Sequence, residues 1–498
     1  MTLGRNELEA PAAFGRPSLA SDGAGDGLVV DRSWAGNRLR STLTNRGAAP
    51  IRVNEVVLAA GEHGLPVGTP LYGEGFTMLS QYEGTIAALT LLGGYGDAAH
   101  YRLPQRAGFR TVYDLALISP AGLPHTLLAF ASSRRFAGQL RFSDASYELV
   151  LDTEGLELAS GATWELEDVV VLAGPNPDAL FADLATHLSR VHPPRIPAQR
   201  LTGWCSWYCF GPDVTEDDIV ANLHAADEYD LPLTYVQIDD GYQARMGDWL
   251  EPGPLVPDPA GLCRTITDLG HEPAIWVAPF IAEAGSTVLR EHPEWFVADA
   301  HGQPLESDRI SYGGWRRGPW FMLDGTHPGA REHLRSVFST MCNEWGCRYF
   351  KLDANVWGAL PGGRRHDPAA TRIEGYRLAM HAIRDAVGDE SILLGCNAPN
   401  WASLGLVDAM RTTDDISRTP RSIDLVARAG RRRAWQNNRL WAADPDCLVV
   451  TGSQLTAEQL EFHAAYIREM GGSVLAGDDL TQLTAAEVEA IRACLPTS

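Results

Sequence analysis

Clustered positive charge is what this sequence most lacks. Lys and Arg together number 41 against 63 Asp and Glu, for a formal net charge of −22. Phosphate-bearing partners are gripped by clusters of Lys and Arg, so neither nucleic acid nor an anionic membrane surface is an expected partner. The one basic run, Arg431-Arg432-Arg433, is short and reads as a solvated helix face or an ion-pair site. No run of about 18 apolar residues is present, which excludes a transmembrane helix. Met1 to Glu7 carries no apolar leader segment, so no secretory signal is expected and the expected compartment is the cytoplasm. The 8 cysteines form no CxxC pair, which removes the usual zinc spacing. In a reducing compartment they read as buried free thiols, with Cys396 set apart by its position.

What is present belongs to a soluble globular protein, with 45% hydrophobic and 21% charged residues. At 498 residues the natural reading is two domains. Residues 1–177 show short alternating segments punctuated by Gly, Pro, Asn and Asp. Gly27–Asp31, Ile51–Leu58, Tyr147–Asp152 and Thr163–Leu172 are examples. That texture predicts an antiparallel β-sandwich. Residues 178–191 read as a helix, and Pro193, Pro194 and Pro197 complete a stiff linker over 178–197. From 198 to 498 the pattern becomes strand, acidic or aromatic terminus, helix, repeated. Eight strands are predicted: Gly203–Tyr208, Thr234–Asp239, Pro273–Phe280, Tyr349–Asp353, Ile392–Cys396, Asp408–Thr412, Leu440–Ala443 and Ser473–Ala476. Helical stretches over 216–229, 328–345, 369–387 and 456–470 lie between them. The fold class is therefore multidomain β and α/β, a β-sandwich followed by a TIM (β/α)8 barrel. A doubly wound open sheet is disfavoured because no GxGxxG opens a helix after the first strand.

Chemistry concentrates at the strand ends, where a barrel carries its active site. In Tyr349-Phe350-Lys351-Leu352-Asp353 the apolar Phe350 and Leu352 alternate with Lys351 and Asp353, so cation and carboxylate point the same way. Trp207, Tyr208, Asp239, Asp240, Trp276, Cys396, Arg411, Asp414 and Asp415 occupy equivalent positions. Carboxylates accept paired hydrogen bonds from vicinal hydroxyls, and aromatic faces cover the apolar side of a pyranose. Taken singly these residues have plainer readings: Asp239-Asp240 as a helix cap, any Trp as core, Cys396 as a buried thiol, Arg411 as a structural ion pair. Their joint recurrence favours a sugar site. Asp478-Asp479 reads as a turn or cap and is left out. His is absent from the strand ends and Lys351 fills the space a cation would need, so no metal and no cofactor is expected.

Several motifs point to a family. Gly203-Trp204-Cys205-Ser206-Trp207-Tyr208, Gln237-Ile238-Asp239-Asp240-Gly241-Tyr242, Gly247-Asp248-Trp249-Leu250, Ile275-Trp276-Val277-Ala278-Pro279-Phe280, Tyr349-Phe350-Lys351-Leu352-Asp353, Leu394-Gly395-Cys396 and Asp444-Pro445-Asp446-Cys447 appear in order between about residues 196 and 480. This stretch resembles the barrel of glycoside hydrolase family 36, the microbial α-galactosidases. The resemblance implies a retaining enzyme acting on a small-molecule α-galactoside or oligosaccharide. Asp353 would be the nucleophile and Asp415 the acid/base. Asp239 and Asp240 would read the axial O4 and the O6, with Lys351 bonding sugar hydroxyls on the same face. Trp207, Tyr208 and Trp276 would wall the subsite, with Cys396 and Arg411 near O2. An α-galactosyl transglycosylase of the raffinose-synthase type is the alternative, and a non-catalytic sugar-binding relative a more distant one. A homo-oligomer is left open.

Departures from the family pattern are also present. Arg411-Thr412-Thr413-Asp414-Asp415 stands where Arg-Ile-Gly-Pro-Asp is common, and Asn397 stands where Gly is common. The stretch Gly73–Ser80 lacks the Trp that the N-terminal domain often lends to the pocket. The usual C-terminal β domain is expected to be absent.

Overall fold

The computed structural model describes residues 18–21 and 27–496. Met1 to Glu7, read above as lacking a leader, lies outside the described residues. The first part of the chain is an antiparallel, strand-rich domain. Its longest pairing runs Ile51–Glu62 against Ser146–Leu158, from Ile51 opposite Leu158 to Glu62 opposite Ser146. Alternation puts Val53, Val56, Leu58, Leu149, Leu151 and Leu158 into the core. The segment predicted as one strand over 163–172 is instead two, Thr163–Glu165 and Val169–Gly174. Between them Glu167 turns inward and accepts the backbone amides of Arg134, Arg135 and Phe136, while Asp168 pairs with Arg38. Two buried acids that need these partners break the ladder.

The helix Pro177–Ser189 follows, with Asn176 accepting from Asp178 N at its start and Leu180, Phe181, Leu184 and Leu188 on its buried face. The basic run resolves as ion pairs. Arg431 bonds Glu469, Arg432 bonds Glu83, and Arg433 is buried against Glu74, Nε to Oε2 at 2.9 Å.

Eight parallel strands then form a nearly closed barrel: Thr202–Cys205, Tyr235–Ile238, Glu272–Val277, Tyr349–Leu352, Ile392–Gly395, Ala409–Arg411, Ala442–Asp444 and Val474–Ala476. Each predicted segment overlaps one of them, with ends displaced by up to three residues. The first is shorter than expected because Trp207–Phe210 turns into a helical loop at the mouth. The seventh and eighth are not laddered to one another. Ser473 N donates to Ala443 O at 2.8 Å and Leu448 N to Leu475 O at 2.8 Å, which brings the edges together. Helices Glu216–Glu228, Arg372–Val387 and Ala457–Met470 each start with a capping box, from Thr215, Thr371 and Thr456. The connection from the third strand to the fourth is long. It carries the hairpin Ile281–Ala282 with Phe321–Met322, and between these a Gly-rich loop over 311–320 that returns to the mouth. All 8 cysteines are free, and all but Cys209 are buried. No helix among the described residues is long and apolar enough to cross a membrane.

Candidate active site

A cavity of about 250 Å³ opens at the C-terminal ends of the strands. Trp207, Asp239, Asp240, Trp276, Lys351, Asp353, Cys396 and Asp415 all line it, as does Asp414. Eight of the ten residues singled out above as substrate-binding or catalytic therefore meet at one surface. The other two, Tyr208 and Arg411, stand behind it. The Tyr208 hydroxyl donates to Asp446 Oδ2. Arg411 binds three carboxylates at once: Asp415 Oδ1 at 2.8 Å, Asp444 Oδ2 at 3.0 Å and Asp446 Oδ1 at 2.9 Å.

Burial dominates the electrostatics. Lys351 Nζ lies 2.9 Å from Asp239 Oδ2, and that oxygen also accepts from Gln237 Nε2 at 2.6 Å. Burial works to lower the Lys351 ammonium, but the Asp239 carboxylate, with the Cys205 and Cys396 thiols, overrides it and holds the group well above its usual value. Asp353 Oδ2 accepts from Trp276 Nε1 at 3.1 Å and Oδ1 from Ala354 N at 2.6 Å. The Asp353 carboxyl is nonetheless raised, by burial first and also by Asp415, with Lys351 opposing. The Lys351 ammonium does not outweigh desolvation at Asp353. Its ion-pair partner is Asp239, two strands away in the barrel. Asp446 is pushed up to about 6, chiefly by burial, with Arg411 opposing and Asp415 and Asp444 adding to the rise. One guanidinium among three carboxylates leaves room for a proton.

Asp414 and Asp415 are held differently. Asp415 carries the Arg411 bond and is 61% exposed, whereas Asp414 Oδ2 accepts from Gly94 N at 3.1 Å. The Asp414 carboxyl is raised by burial and then by Asp415. Asp239-Asp240 caps no helix. Asp240 instead receives Arg316 Nε on Oδ2 at 2.9 Å, the Arg316 terminal nitrogen on Oδ1, and Gln243 Nε2 on Oδ1 at 2.6 Å. Asp478 is structural, accepting Val450 N at 2.7 Å and pairing with Arg418.

Sequence reasoning missed Leu79, Tyr95, Tyr312, Trp315, Asn397 as a wall of the cavity, and Arg316. Gly73–Ser80 contributes only Leu79. The strand-rich domain supplies an aromatic from the next loop instead, Tyr95 in Gly93-Gly94-Tyr95-Gly96, and Trp315 comes from Gly313-Gly314-Trp315. An aromatic flanked by glycines at a loop tip is the signal that could have found both. A second overlooked signal is compositional. Lys351 is the sole lysine of the sequence, and every other Lys-or-Arg position is Arg. A chain that otherwise uses Arg throughout keeps a compact ammonium at this one buried point, 2.9 Å from Asp239 Oδ2. Asn397 has a positive φ of 42°, which Asn tolerates second only to Gly, so its departure from the family's Gly keeps the backbone shape.

Comparison with solved structures gives the architecture a name. The α-galactosidase TtGalA from Thermus thermophilus, solved with p-nitrophenyl α-D-galactopyranoside, superposes with a TM-score of 0.71 at 22% identity, over 92% of this chain and 94% of that one. Its fold is that of the family 36 α-galactosidases. AgaA of Geobacillus stearothermophilus, a family 36 α-galactosidase solved as a variant with stachyose, matches with a TM-score of 0.66 at 14% identity, over 92% of this chain and 65% of that one. Among curated proteins, an A type blood α-D-galactosamine galactosaminidase of Flavonifractor plautii is 27% identical over 239 residues, 45% of this chain and 21% of its own length. The chain spans about a fifth to a quarter of the length of the curated relatives it matches. No family model matches it. The cavity lies at the C-terminal ends of the barrel strands.

Proposed function

We propose that this chain is a retaining α-galactosidase that uses Asp353 as nucleophile and Asp415 as acid/base. The observation that carries the reading is one cavity shared by Asp353, Asp415, the Lys351–Asp239 pair and the indoles of Trp207 and Trp276. Asp353, steadied by the Trp276 indole and Ala354 N, attacks C1 while Asp415 protonates the departing glycosidic oxygen. Asp415 then deprotonates the water that releases the sugar. Arg411 joins Asp415 to the buried Asp444 and Asp446 and so fixes the position of the Asp415 carboxyl. Asp414, held by Gly94 N, is the neighbouring carboxyl at the rim of the same cavity. Arg316 and Gln243 fix the oxygens of Asp240, and with Asp239 that carboxylate selects a sugar whose O4 is axial.

A panel of nitrophenyl α-glycosides tests this directly. The α-galactoside is expected to be cleaved faster than the α-glucoside by a factor on the order of 10⁴, because an equatorial O4 leaves a buried carboxylate unpaired. Equal rates on the two would refute the assignment. Asp353→Ala should abolish turnover, and azide should convert the activated substrate to the β-galactosyl azide. Products formed with excess acceptor sugar separate hydrolysis from transglycosylation.

A further inference from the structure

We propose that Asp414 is a positioning residue for the leaving-group side of the cavity, its carboxylate tying the loop that carries Tyr95 to the backbone of Asp415. The inference rests on the functional reading above. The two carboxylate oxygens divide the task. Oδ2 accepts from Gly94 N at 3.1 Å, in the strand-rich domain, and Oδ1 accepts from Asp415 N at 2.9 Å, in the barrel. One planar group, half-buried, thus joins the residue before Tyr95 to the residue assigned as acid/base. Bonds from backbone amides to an ionised carboxylate are of the stronger kind.

Gly94 is shaped for this contact. Its φ lies outside the left-handed region, so the backbone conformation does not itself demand glycine. A Cβ at this position would stand 2.8 Å from Asp414 Oδ2 and, its chain neighbours aside, would meet no other residue within 4 Å. Glycine is required there because the carboxylate approaches so closely. The rest of the loop is anchored in its own domain. Leu92 N donates to Gln81 O at 2.8 Å, Ser80 Oγ to Tyr95 O at 2.8 Å and Asp97 N to the Tyr82 hydroxyl at 3.0 Å. Gly94 N reaches across to the barrel.

What the tie holds is a wall of the cavity. Tyr95 lines it, with its ring 5.6 Å from that of Tyr312. Burial first, and then the charges of Asp414, Asp415 and Asp353 in that order, push the Tyr95 phenol up, which sets its hydroxyl on the acid/base side. A leaving group protonated by Asp415 departs on that side. Two departures from the family pattern meet here: Gly73–Ser80 offers no Trp, and Asp414 stands where Pro is common. Proline has no side-chain acceptor for the Gly94 amide. The tyrosine wall and the carboxylate that fixes it therefore belong together.

The test is a pair of mutant cycles. kcat and KM are measured for a nitrophenyl α-galactoside and an α-galactosyl disaccharide in the wild type, Asp414→Ala, Gly94→Ala and the double variant. The second cycle combines Asp414→Ala with Tyr95→Ala. Asp414→Ala is expected to raise KM about tenfold on both substrates, with kcat changed by less than about threefold and azide without effect. Gly94→Ala should match it, because the methyl displaces the carboxylate, and should add nothing once Asp414 is Ala. Asp414→Ala should likewise add nothing to Tyr95→Ala. Asp414→Asn, whose one carbonyl oxygen can serve only one of the two amides, should fall between. Additive effects in either cycle overturn the proposal. So does a fall in kcat at constant KM, which loss of folded enzyme alone would give, or rescue of Asp414→Ala by azide, which would make Asp414 the acid/base. If the wild type cleaves no α-galactoside, the functional reading has failed, and the tie is read by hydrogen exchange over residues 91–97. There, exchange about tenfold faster in Asp414→Ala and Gly94→Ala upholds the tie, and unchanged exchange overturns it.

Discussion

Substituting Lys351 by Met removes the ammonium 2.9 Å from Asp239 Oδ2 and leaves an apolar stem of similar length. The two side chains are 5% and 2% exposed, so water cannot replace the lost partner. Removing one member of a buried ion pair typically costs about 3–5 kcal/mol. Asp239 keeps Gln237 Nε2 at 2.6 Å and the Cys205 thiol at 3.5 Å, which places the expected loss at the lower end, about 3 kcal/mol. Against a total of about 5–15 kcal/mol that is a large fraction, and it should lower Tm by about 3–5 °C for a chain of this length. Asp239→Asn added to Lys351→Met removes the stranded charge as well. The double variant should therefore be more stable than the sum of the single effects by at least about 2 kcal/mol, while activity stays lost. Urea midpoints and thermal scans of the four proteins give the cycle. Additivity within about 0.5 kcal/mol would show that the two groups are not coupled and would refute the reasoning. Lys351→Arg belongs in the same series. The longer planar fork should fail to restore either stability or turnover, and wild-type behaviour in that variant would contradict the account given of the sole lysine.

The acid/base assignment is checked by comparing Asp414→Ala and Asp415→Ala on a nitrophenyl galactoside and on a natural disaccharide. Loss of Asp415 should slow the disaccharide by about 10²–10⁴ and the activated substrate far less, with azide restoring a product of retained configuration; that pattern in Asp414→Ala alone would reverse the roles. Asp97 is buried, its Oδ1 lacks a partner, and burial pushes its carboxyl up to about 6. The folded protein then holds this proton better than the unfolded chain, so the contribution to stability is present below about pH 4 and is lost as pH rises through about 6. Asp97→Asn should accordingly stabilise the protein by roughly 3 kcal/mol more at pH 8 than at pH 4, read from urea midpoints; the same effect at both pH values would refute it.

The barrel was legible because its signal is local and repeated. Each strand is a short apolar run that ends in a residue able to do chemistry, and eight such runs in order leave few alternatives. The ten residues singled out for the site were found by the same rule, since all sit at or just beyond strand ends. What escaped lies where no periodicity operates. Tyr95 reaches the cavity from the other domain, and Tyr312, Trp315 and Arg316 come from the excursion after the third strand, so only the folded chain brings them to the barrel mouth. The Thr163–Leu172 segment misled because Glu167 and Asp168 were read as part of an alternation. Their inward partners, Arg38 and the amides of residues 134–136, are remote in sequence. The electrostatics of Asp353 were equally hidden, because spacing reveals a neighbour on the strand but not the depth at which the carboxyl is buried.

The sole lysine also changes how the molecule meets its surroundings. With Lys351 buried in the wall of the cavity, every charged side chain that the folded surface offers as a cation donor is a guanidinium or an imidazole, and no side-chain primary amine is presented outside. Acylating and carbonyl reagents that modify lysine on most proteins would find this one only when the barrel opens or when the reagent is small enough to enter the cavity. The protein thus carries an internal tag of its own. Modification at position 351 would record how often the core of the site is exposed, and a sugar seated above it should slow that clock.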